Sequence, residues 1–89
     1  MEKIRQHLIF YGRVQGVGFR YRAKYVAEHL GIIGWVRNEW DGTVEMEAQG
    51  TLSQINEMLR LINQGSYIEV QDLKRKEIPV QEESGFHIR

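Results

Sequence analysis

The sequence of 89 residues predicts an α+β domain of the split β-α-β sandwich type, in which an antiparallel sheet carries two helices on one face. The first observation is that the spacing of apolar residues switches between two and three to four, in the order β-α-β-β-α-β. The second is size: with 42% hydrophobic and 27% charged residues, a chain this short forms one core. Residues 1–89 are therefore predicted to be a single domain.

The first strand and the first helix are predicted on either side of a glycine-rich loop. Residues 6–14 alternate in polarity, as a half-buried strand does. One face of this strand consists of Leu8, Phe10, Gly12 and Val14. After the loop, the apolar residues follow one stripe of a helix that begins near Phe19 and ends before Gly31. That stripe consists of Phe19, Ala23, Val26, Ala27 and Leu30.

The middle of the chain has the pattern of a β-hairpin. Ile33 to Asn38 is predicted as the second strand, and Asp41-Gly42 is a strong turn signal. The partner strand is predicted from Thr43 to Gln49, and we expect Gly50 to end it.

A second helix and further strands follow the hairpin. Residues 51–54 fit a capping box at a helix start, and Gly65 is placed to end that helix. Its apolar stripe consists of Ile55, Met58, Leu59 and Ile62. A strand is predicted from Ile68 to Arg75, since Pro79 prevents simple continuation. Phe86 to Ile88 can add a short terminal strand.

The composition argues against several classes of function. Twelve basic and twelve acidic residues give no net charge, so the chain as a whole attracts neither nucleic acid nor an anionic membrane. There is no cysteine, which excludes disulfides and thiolate chemistry. The sequence has neither a signal-peptide pattern nor a run of about 18 apolar residues, so a cytoplasmic location is predicted.

The charges are nevertheless unevenly distributed along the chain. Residues 1–25 hold six bases and one acid, whereas residues 38–57 hold five acids and no base. Two interpretations are open. Either the two regions are solvated faces that attract each other, or the first third of the chain attracts an anionic ligand.

The predicted topology places the glycine-rich loop beside the end of the second strand. Because a helix crossover joins the first two strands, they run in the same direction and end at the same edge of the sheet. Residues 15–20 follow the first strand, and Asn38 closes the second. We therefore expect them to lie close together although they are distant in sequence.

The loop itself has features of an anion site. Tyr21 stands where a dinucleotide fingerprint needs its third glycine after Gly16 and Gly18, and no Walker motif follows. The loop leads into a helix N-terminus, where backbone N–H groups and the helix dipole attract anions. Arg20 in the first turn can grip a phosphate with paired hydrogen bonds, although a cation there opposes the dipole. The alternative is a tight turn with a solvated arginine.

Asn38 also has two interpretations. Asparagine is common near turns, so Asn38 can simply begin the hairpin loop that Asp41-Gly42 completes. Its carboxamide can also donate and accept hydrogen bonds, and so orient a water molecule. The histidines and serines have no spacing that indicates a metal site or an activated nucleophile.

Several segments of the chain resemble the acylphosphatase family. They are Gly12-Arg13-Val14-Gln15-Gly16-Val17-Gly18-Phe19-Arg20, Gly34-Trp35-Val36-Arg37-Asn38, Asp41-Gly42-Thr43-Val44-Glu45 and Gln49-Gly50. The resemblance covers nearly the whole chain and implies a ferredoxin-like fold. It implies hydrolysis of acyl phosphates to a carboxylate and inorganic phosphate, with no metal and no organic cofactor.

The resemblance also implies roles for individual residues. Arg20 is the implied catalytic arginine, and Asn38 is implied to orient the attacking water. The implied substrate-binding residues are Gln15, Gly16, Val17, Gly18, Phe19 and Arg20. The chain departs from the common family pattern at Ala23, Met46 and Ser66, which leaves both implied catalytic residues in place.

The chemistry of acyl phosphates agrees with so small a set of candidates. The leaving carboxylate is a weak base, with a conjugate-acid pKa of ~4, so a strong general acid is not essential. The enzyme must mainly hold the phosphoryl oxygens and align a water molecule. Our hypothesis is that the substrate phosphate itself accepts the proton of that water.

Three other functions are open at this point. The chain is alternatively a module of the same fold that senses phosphate or a metabolite without turnover, or an RNA-binding domain of this layout. A maturation-factor domain acting on carbamoyl phosphate is a third, although such domains belong to much longer chains. The partners expected for the enzyme are a small-molecule acyl phosphate and inorganic phosphate, with no nucleic acid and no membrane. A monomer is the simplest assembly.

Overall fold

Seven secondary-structure elements follow one another along residues 2–89, the part of the chain that the computed structural model describes. In chain order they are β1 (Lys3–Arg13), α1 (Phe19–Leu30), β2 (Ile33–Asn38), β3 (Val44–Thr51), α2 (Leu52–Asn63), β4 (Glu69–Ile78) and β5 (Phe86–Ile88). The predicted β-α-β-β-α-β order is confirmed, and the short terminal strand is present. None of the helices formed by residues 2–89 is both long and apolar enough to cross a membrane.

The five strands form one sheet in the order β4-β1-β3-β2-β5. Strand β3 pairs antiparallel with both β1 and β2, so those two strands run in the same direction, as predicted. Strand β5 pairs parallel with β2. The sheet is therefore mixed, whereas the sequence predicted an antiparallel sheet. The cause is the connection over residues 79–85, which carries the chain from one edge of the sheet to the other.

A buried arginine anchors this connection on the helix-free face of the sheet. Arg5 is fully buried and donates from Nε to Glu47 and from Nη2 to Glu83, each at 2.8 Å. Its Nη1 donates to Gln49 Oε1 at 3.2 Å, and the Gln49 amide donates to the Gln81 carbonyl oxygen at 2.9 Å. These bonds lie where β1 begins, at the end of the sheet opposite the glycine-rich loop.

Some strand boundaries differ from the predicted ones because ladder hydrogen bonds override local signals. Strand β1 begins at Lys3 instead of residue 6, and β4 runs to Ile78 instead of Arg75. Strand β3 continues through Gly50, which pairs with Ile4 of β1, so the prediction that Gly50 ends this strand is wrong. In each case the neighbouring strand supplies partners that the local sequence does not reveal.

Both helices have identifiable caps. Gly31 adopts a left-handed conformation with φ 74° and caps α1, as predicted. At the start of α2, the predicted capping box is present: Thr51 N–H donates to the Gln54 side chain at 2.9 Å, and Gln54 N–H donates back at 3.1 Å. Helix α2 ends with Gln64 as its cap, one residue before the predicted Gly65.

The hydrophobic core lies between the two helices and one face of the sheet. Leu8, Phe10 and Val14 contribute the β1 face that the alternation predicts. Phe10 and Phe19 meet edge to face, with ring centroids 4.8 Å apart. The fully or nearly fully buried residues of the helices are Phe19, Ala23, Val26, Ala27, Ile55, Met58 and Ile62. Both predicted apolar stripes therefore face the core, with Leu30 and Leu59 only partly buried at its edge.

At Gly34 a side chain would collide with the neighbouring strand. Its φ is 143°, and a Cβ there would overlap the carbonyl oxygen of Glu47, which the β2–β3 ladder holds in place. We expect Gly34→Ala to lower the free energy of unfolding by about 3 kcal/mol, because backbone strain and overpacking both contribute. Gly31→Ala is the matched control, since Gly31 also has a positive φ but open space around its Cβ position. Urea denaturation measures both variants, and equal losses would contradict the steric explanation.

Candidate active site

The shared direction of β1 and β2 brings the glycine-rich loop and Asn38 to one edge of the sheet. They border a cleft of about 160 Å³. Its lining residues are Val14, Gly16, Gly18, Phe19, Arg20, Tyr21 and Asn38. The predicted proximity of the loop and Asn38 is therefore confirmed. The two are distant in sequence, and the topology of the sheet brings them together.

The loop beside this cleft has backbone N–H groups without acceptors in the part of the chain that the structure describes. Gly16 and Gly18 adopt φ values of 71° and 79°, and Gly18 is the N-cap residue of α1 with no side-chain cap. The first helical hydrogen bond runs from Arg22 N–H to the Gly18 carbonyl oxygen at 3.0 Å. Within residues 2–89, the backbone N–H groups of residues 16–21 have no hydrogen-bond acceptor. Unused donors and a helix N-terminus together favour an anion.

Arg20 differs from Arg22, the other arginine of α1, in having no partner within the described residues. It is half-buried and lines the cleft, and among residues 2–89 no carboxylate lies within ion-pair distance of it. Arg22, two residues further along the same turn, instead donates to the Leu61 carbonyl oxygen at 2.8 Å and ties α1 to α2. No acidic residue occupies the first turn of α1. The positive charge of Arg20 is thus available to a ligand in the cleft.

Asn38 presents an unpaired polar atom at the same place. Its side-chain Oδ1 is fully buried and has no hydrogen-bond partner among residues 2–89. Such a group costs about 1–3 kcal/mol when it stays unpaired, so it is usually explained by a ligand or a water molecule. The hairpin is closed without it. The Asp41 carboxylate accepts from the Thr43 hydroxyl and N–H at 2.7 and 3.0 Å, and these bonds lower the pKa of Asp41.

Two of the predicted substrate-binding residues do not line the cleft. The Gln15 side chain turns to the hairpin, where its amide donates to the carbonyl oxygens of Glu39 and Thr43 at 2.6 and 2.9 Å. Val17 is half-buried against the hydrophobic core. Contacts of their backbones with substrate stay a prediction. Conversely, Val14 and Tyr21 line the cleft although neither is among the predicted substrate-binding residues; the signal that could have found them is their position beside the loop.

The departures from the family pattern lie away from the cleft. Ala23 and Met46 are fully buried in the core, and Ser66 is exposed beyond the end of α2. The lining of the cleft therefore contains none of the three substitutions.

The uneven charge distribution has two structural outcomes. Arg5 pairs with Glu47, and His7 lies 2.5 Å from Glu45, so part of the basic first third meets the acidic segment across the β1–β3 ladder. Burial raises the pKa of Glu45, but hydrogen bonds and charge from His7 and Arg37 outweigh it and lower that pKa overall. Arg20 takes no part in this pairing. The pairing interpretation therefore holds for Arg5 and His7, whereas an anionic ligand for Arg20 stays a prediction.

Two larger and more open grooves lie elsewhere on the domain. One, of about 360 Å³, separates α2 from β4, and another of about 420 Å³ lies on the helix-free face of β1 and β4. The arginines beside the first groove are already engaged: Arg60 pairs with Glu57, and Arg75 donates to Gln6 and Asn56. Neither groove combines an unengaged arginine with unused backbone N–H groups, so the smaller cleft is the candidate active site.

Comparison with known proteins identifies the family. The acylphosphatase family profile matches residues 6–88. The chain is similar to the acylphosphatase of Ligilactobacillus salivarius, with 40% identity over 83 residues that cover 91% of this chain and 92% of the relative. It is also similar to that of Bacillus licheniformis, with 42% identity over 84 residues covering 93% and 91%. The crystal structure of acylphosphatase from Bacillus subtilis superposes with a TM-score of 0.90 at 32% identity, covering 97% of this chain and 98% of that one.

The ferredoxin-like sandwich, together with these relatives, places the chain in a class of small hydrolases. The chain belongs to the acylphosphatase family, and its activity is the hydrolysis of acyl phosphates to a carboxylate and inorganic phosphate.

Proposed function

We propose that the loop of residues 15–20 and Arg20 bind the phosphoryl group of an acyl phosphate, while Asn38 orients the attacking water. The observation that carries this proposal is the meeting, in one cleft, of unused loop N–H groups, an unpaired arginine and a buried, unpartnered carboxamide oxygen. A phosphoryl group needs donors and positive charge. A water nucleophile needs an acceptor that fixes one of its O–H bonds.

The phosphoryl oxygens are held by two kinds of donor. Backbone N–H groups of the loop and of the first turn of α1 donate to them, and the helix N-terminus adds its partial positive charge. Arg20 donates two further hydrogen bonds from its planar guanidinium. The backbone donors of the first helical turn are held in place by α1 before the substrate binds, so they stabilise charge that builds on the phosphoryl oxygens in the transition state with little reorganisation.

Water attacks the phosphorus atom in line with the carboxylate leaving group. The Asn38 Oδ1 accepts one O–H bond of the water, so a lone pair of the water oxygen faces phosphorus. The new P–O bond forms from water, the bond between phosphorus and the acyl oxygen breaks, and its electron pair leaves with the carboxylate. Because the leaving carboxylate is a weak base, it needs no proton at neutral pH.

The proton of the water goes to a phosphoryl oxygen. Among residues 2–89, the ionisable side chains that line the cleft are Arg20 and Tyr21, and none is a histidine or a carboxylate. This composition supports the substrate phosphate as the proton acceptor. A pH–rate profile that requires an enzyme base near neutrality would contradict it, if mutation of a single side chain removed that requirement.

We further propose that the reaction needs neither a metal ion nor an organic cofactor, and that the protein is a cytoplasmic monomer. Residues 2–89 contain no cluster of three or more His, Asp or Glu side chains able to hold a metal ion. The packing of both helical stripes inside the domain supports the monomer.

Hydrolysis of an aryl acyl phosphate, measured with and without a metal chelator, tests the proposed function. We expect saturable turnover with the same kcat in both conditions, because the donors named above are protein groups. Loss of turnover with chelator, restored by a divalent cation, would contradict the metal-independent mechanism. A folded protein that binds inorganic phosphate without turnover would instead be a sensing module of this fold.

The structure disfavours the RNA-binding alternative. RNA readers of this layout stack bases and hold phosphates on the helix-free face of the central strands. Here that face of the central strand β3 carries Glu45 and Glu47, each already bonded to a basic residue of β1. Strand β3 therefore presents paired carboxylates there and no aromatic ring on which a base could stack.

A further inference from the structure

The side chain of Gln15 is the link between the two halves of the candidate site. Its Nε2 donates to the Glu39 carbonyl oxygen at 2.6 Å and to the Thr43 carbonyl oxygen at 2.9 Å. Gln15 directly precedes Gly16 of the glycine-rich loop, and Glu39 directly follows Asn38. Two hydrogen bonds from one amide therefore join the start of the loop to the hairpin immediately after Asn38.

The Thr43 carbonyl oxygen, to which Gln15 donates, also takes part in closing the hairpin. Glu39 N–H donates to the Thr43 carbonyl oxygen at 2.9 Å, so the same oxygen accepts from Glu39 and from Gln15. The Asp41 carboxylate fixes Thr43 from the other side of the turn through its N–H and hydroxyl. The turn is thus internally braced, and Gln15 connects the braced turn to the loop.

Asn38 itself has no comparable support. Within residues 2–89 its side chain forms no hydrogen bond, and its Oδ1 is buried without a partner. The direction of the carboxamide therefore depends on the backbone at the end of β2 and on packing. A shift of the hairpin relative to the loop would move the Asn38 Oδ1 relative to the phosphoryl donors.

We infer that Gln15 is a positioning residue, whose side chain fixes the water-orienting Asn38 relative to the phosphoryl-binding loop. This inference rests on the proposed function of Asn38 and Arg20. It gives the Gln15 side chain a task other than direct contact with substrate. Its loss disturbs the alignment of water and phosphorus more than it disturbs phosphoryl binding.

Gln15→Leu and Gln15→Glu are the variants that test this inference. Leucine keeps the approximate size but removes the amide that donates both hydrogen bonds. Glutamate keeps the shape but places carboxylate oxygens next to the carbonyl oxygens of Glu39 and Thr43, which they repel. We expect kcat for an aryl acyl phosphate to fall roughly 10- to 100-fold in both at neutral pH, the scale of a small misalignment. KM and the inhibition constant of inorganic phosphate should change by less than about threefold, because the loop donors stay.

The pH dependence of Gln15→Glu separates positioning from a merely structural role. When the introduced carboxyl is protonated it regains one donor, so the ratio of its kcat to the wild-type kcat should rise as the pH falls through the range of a carboxyl pKa. The same ratio for Gln15→Leu should stay flat. An unchanged kcat in both variants would overturn the inference, as would a rise in KM and in the phosphate inhibition constant with kcat intact.

Gln49→Leu is the matched control. The Gln49 amide also donates to a backbone carbonyl oxygen, that of Gln81 at 2.9 Å, but at the opposite end of the sheet. We expect this variant to lose stability and to keep kcat within about threefold of wild type, when each protein is assayed below its own unfolding transition. If Gln49→Leu lowered kcat as much as Gln15→Leu, a general loss of rigidity would explain both, and the inference would fail.

A double-mutant cycle with Asn38→Ala tests whether Gln15 acts through Asn38. If it does, Gln15→Leu should lower kcat by less than about threefold in the Asn38→Ala background, since the group that it positions is already absent. Multiplicative losses would overturn the inference alone. An Asn38→Ala variant with wild-type kcat would overturn the proposed function of Asn38 as well, and so distinguishes the two failures.

Discussion

Arg20→Ala is expected to lower kcat/KM for an aryl acyl phosphate by about 10³-fold while the protein stays folded. The side chain lines the cleft and has no carboxylate partner among residues 2–89, so the substitution removes a positive charge that no internal ion pair uses. In the proposed mechanism the guanidinium contacts phosphoryl oxygens before and during the reaction. Both the substrate KM and the inhibition constant of inorganic phosphate should therefore rise together with the loss in kcat. Steady-state kinetics at several phosphate concentrations measures all three quantities.

The stability of Arg20→Ala provides a second and opposite expectation. A cation in the first turn of a helix opposes the helix dipole, so its removal should stabilise the domain by about 0.3–1 kcal/mol. Loss of activity with gain of stability is typical of a residue kept for function. Arg20→Lys retains the charge without the planar fork, and should recover part of the phosphate binding but little of kcat.

Arg13→Ala is the charge-matched control for Arg20. Arg13 is an exposed arginine at the end of β1 and is not among the lining residues of the cleft. Its removal changes the net charge equally, and should change kcat/KM by less than about threefold because solvent and salt screen an exposed charge. A folded Arg20→Ala variant that lost less than about tenfold would contradict the proposed role, as would equal losses in both variants.

The parts of the fold that the sequence predicted well are those set by local chemistry. Strand β2 matches its predicted bounds from Ile33 to Asn38, since a glycine before it and a turn signal after it enclose the apolar run. Gly31 and the capping box at Thr51 mark the end of α1 and the start of α2 because each satisfies backbone groups within a few residues.

The parts that the sequence predicted badly depend on neighbours that are distant along the chain. Gly50 is a strand breaker by its own propensity, yet pairing with Ile4 keeps it in β3. Strand β5 pairs parallel with β2 after crossing the whole sheet, and the anchor of that crossing is Arg5, about 80 residues earlier in the chain. No periodicity within a short window contains this information.

The candidate site shows the same division between local and distant information. The nearness of Asn38 to residues 15–20 could be predicted, because the crossover rule alone places both at one end of the sheet. The separate tasks of Arg20 and Arg22 could not, since the acceptor of Arg22 is a carbonyl oxygen of α2. The acceptors of Gln15 are likewise backbone oxygens 24 and 28 residues away, which have no sequence signature.

Asn38→Ala is expected to lower kcat by about 10²- to 10³-fold with little change in phosphate binding. In the proposed mechanism the carboxamide touches the attacking water, whereas the phosphoryl oxygens are held by Arg20 and the loop. The inhibition constant of inorganic phosphate should therefore stay within about threefold of the wild-type value, in contrast to Arg20→Ala. Asn63→Ala, at the exposed end of α2, is the control for removal of a carboxamide elsewhere.

Asn38→Asp separates the acceptor function of Asn38 from its neutrality. Aspartate keeps an oxygen that can accept from water, but at neutral pH it places a negative charge beside the phosphoryl group. We expect a weaker affinity for phosphate in this variant, which should recover as the introduced carboxyl is protonated. In the alanine variant the affinity should not depend on pH in this way.

Since the buried Oδ1 of Asn38 has no partner among residues 2–89, the alanine variant should lose no stability. Wild-type kcat in Asn38→Ala, or a marked loss of stability, would show that the carboxamide serves the hairpin and not the water.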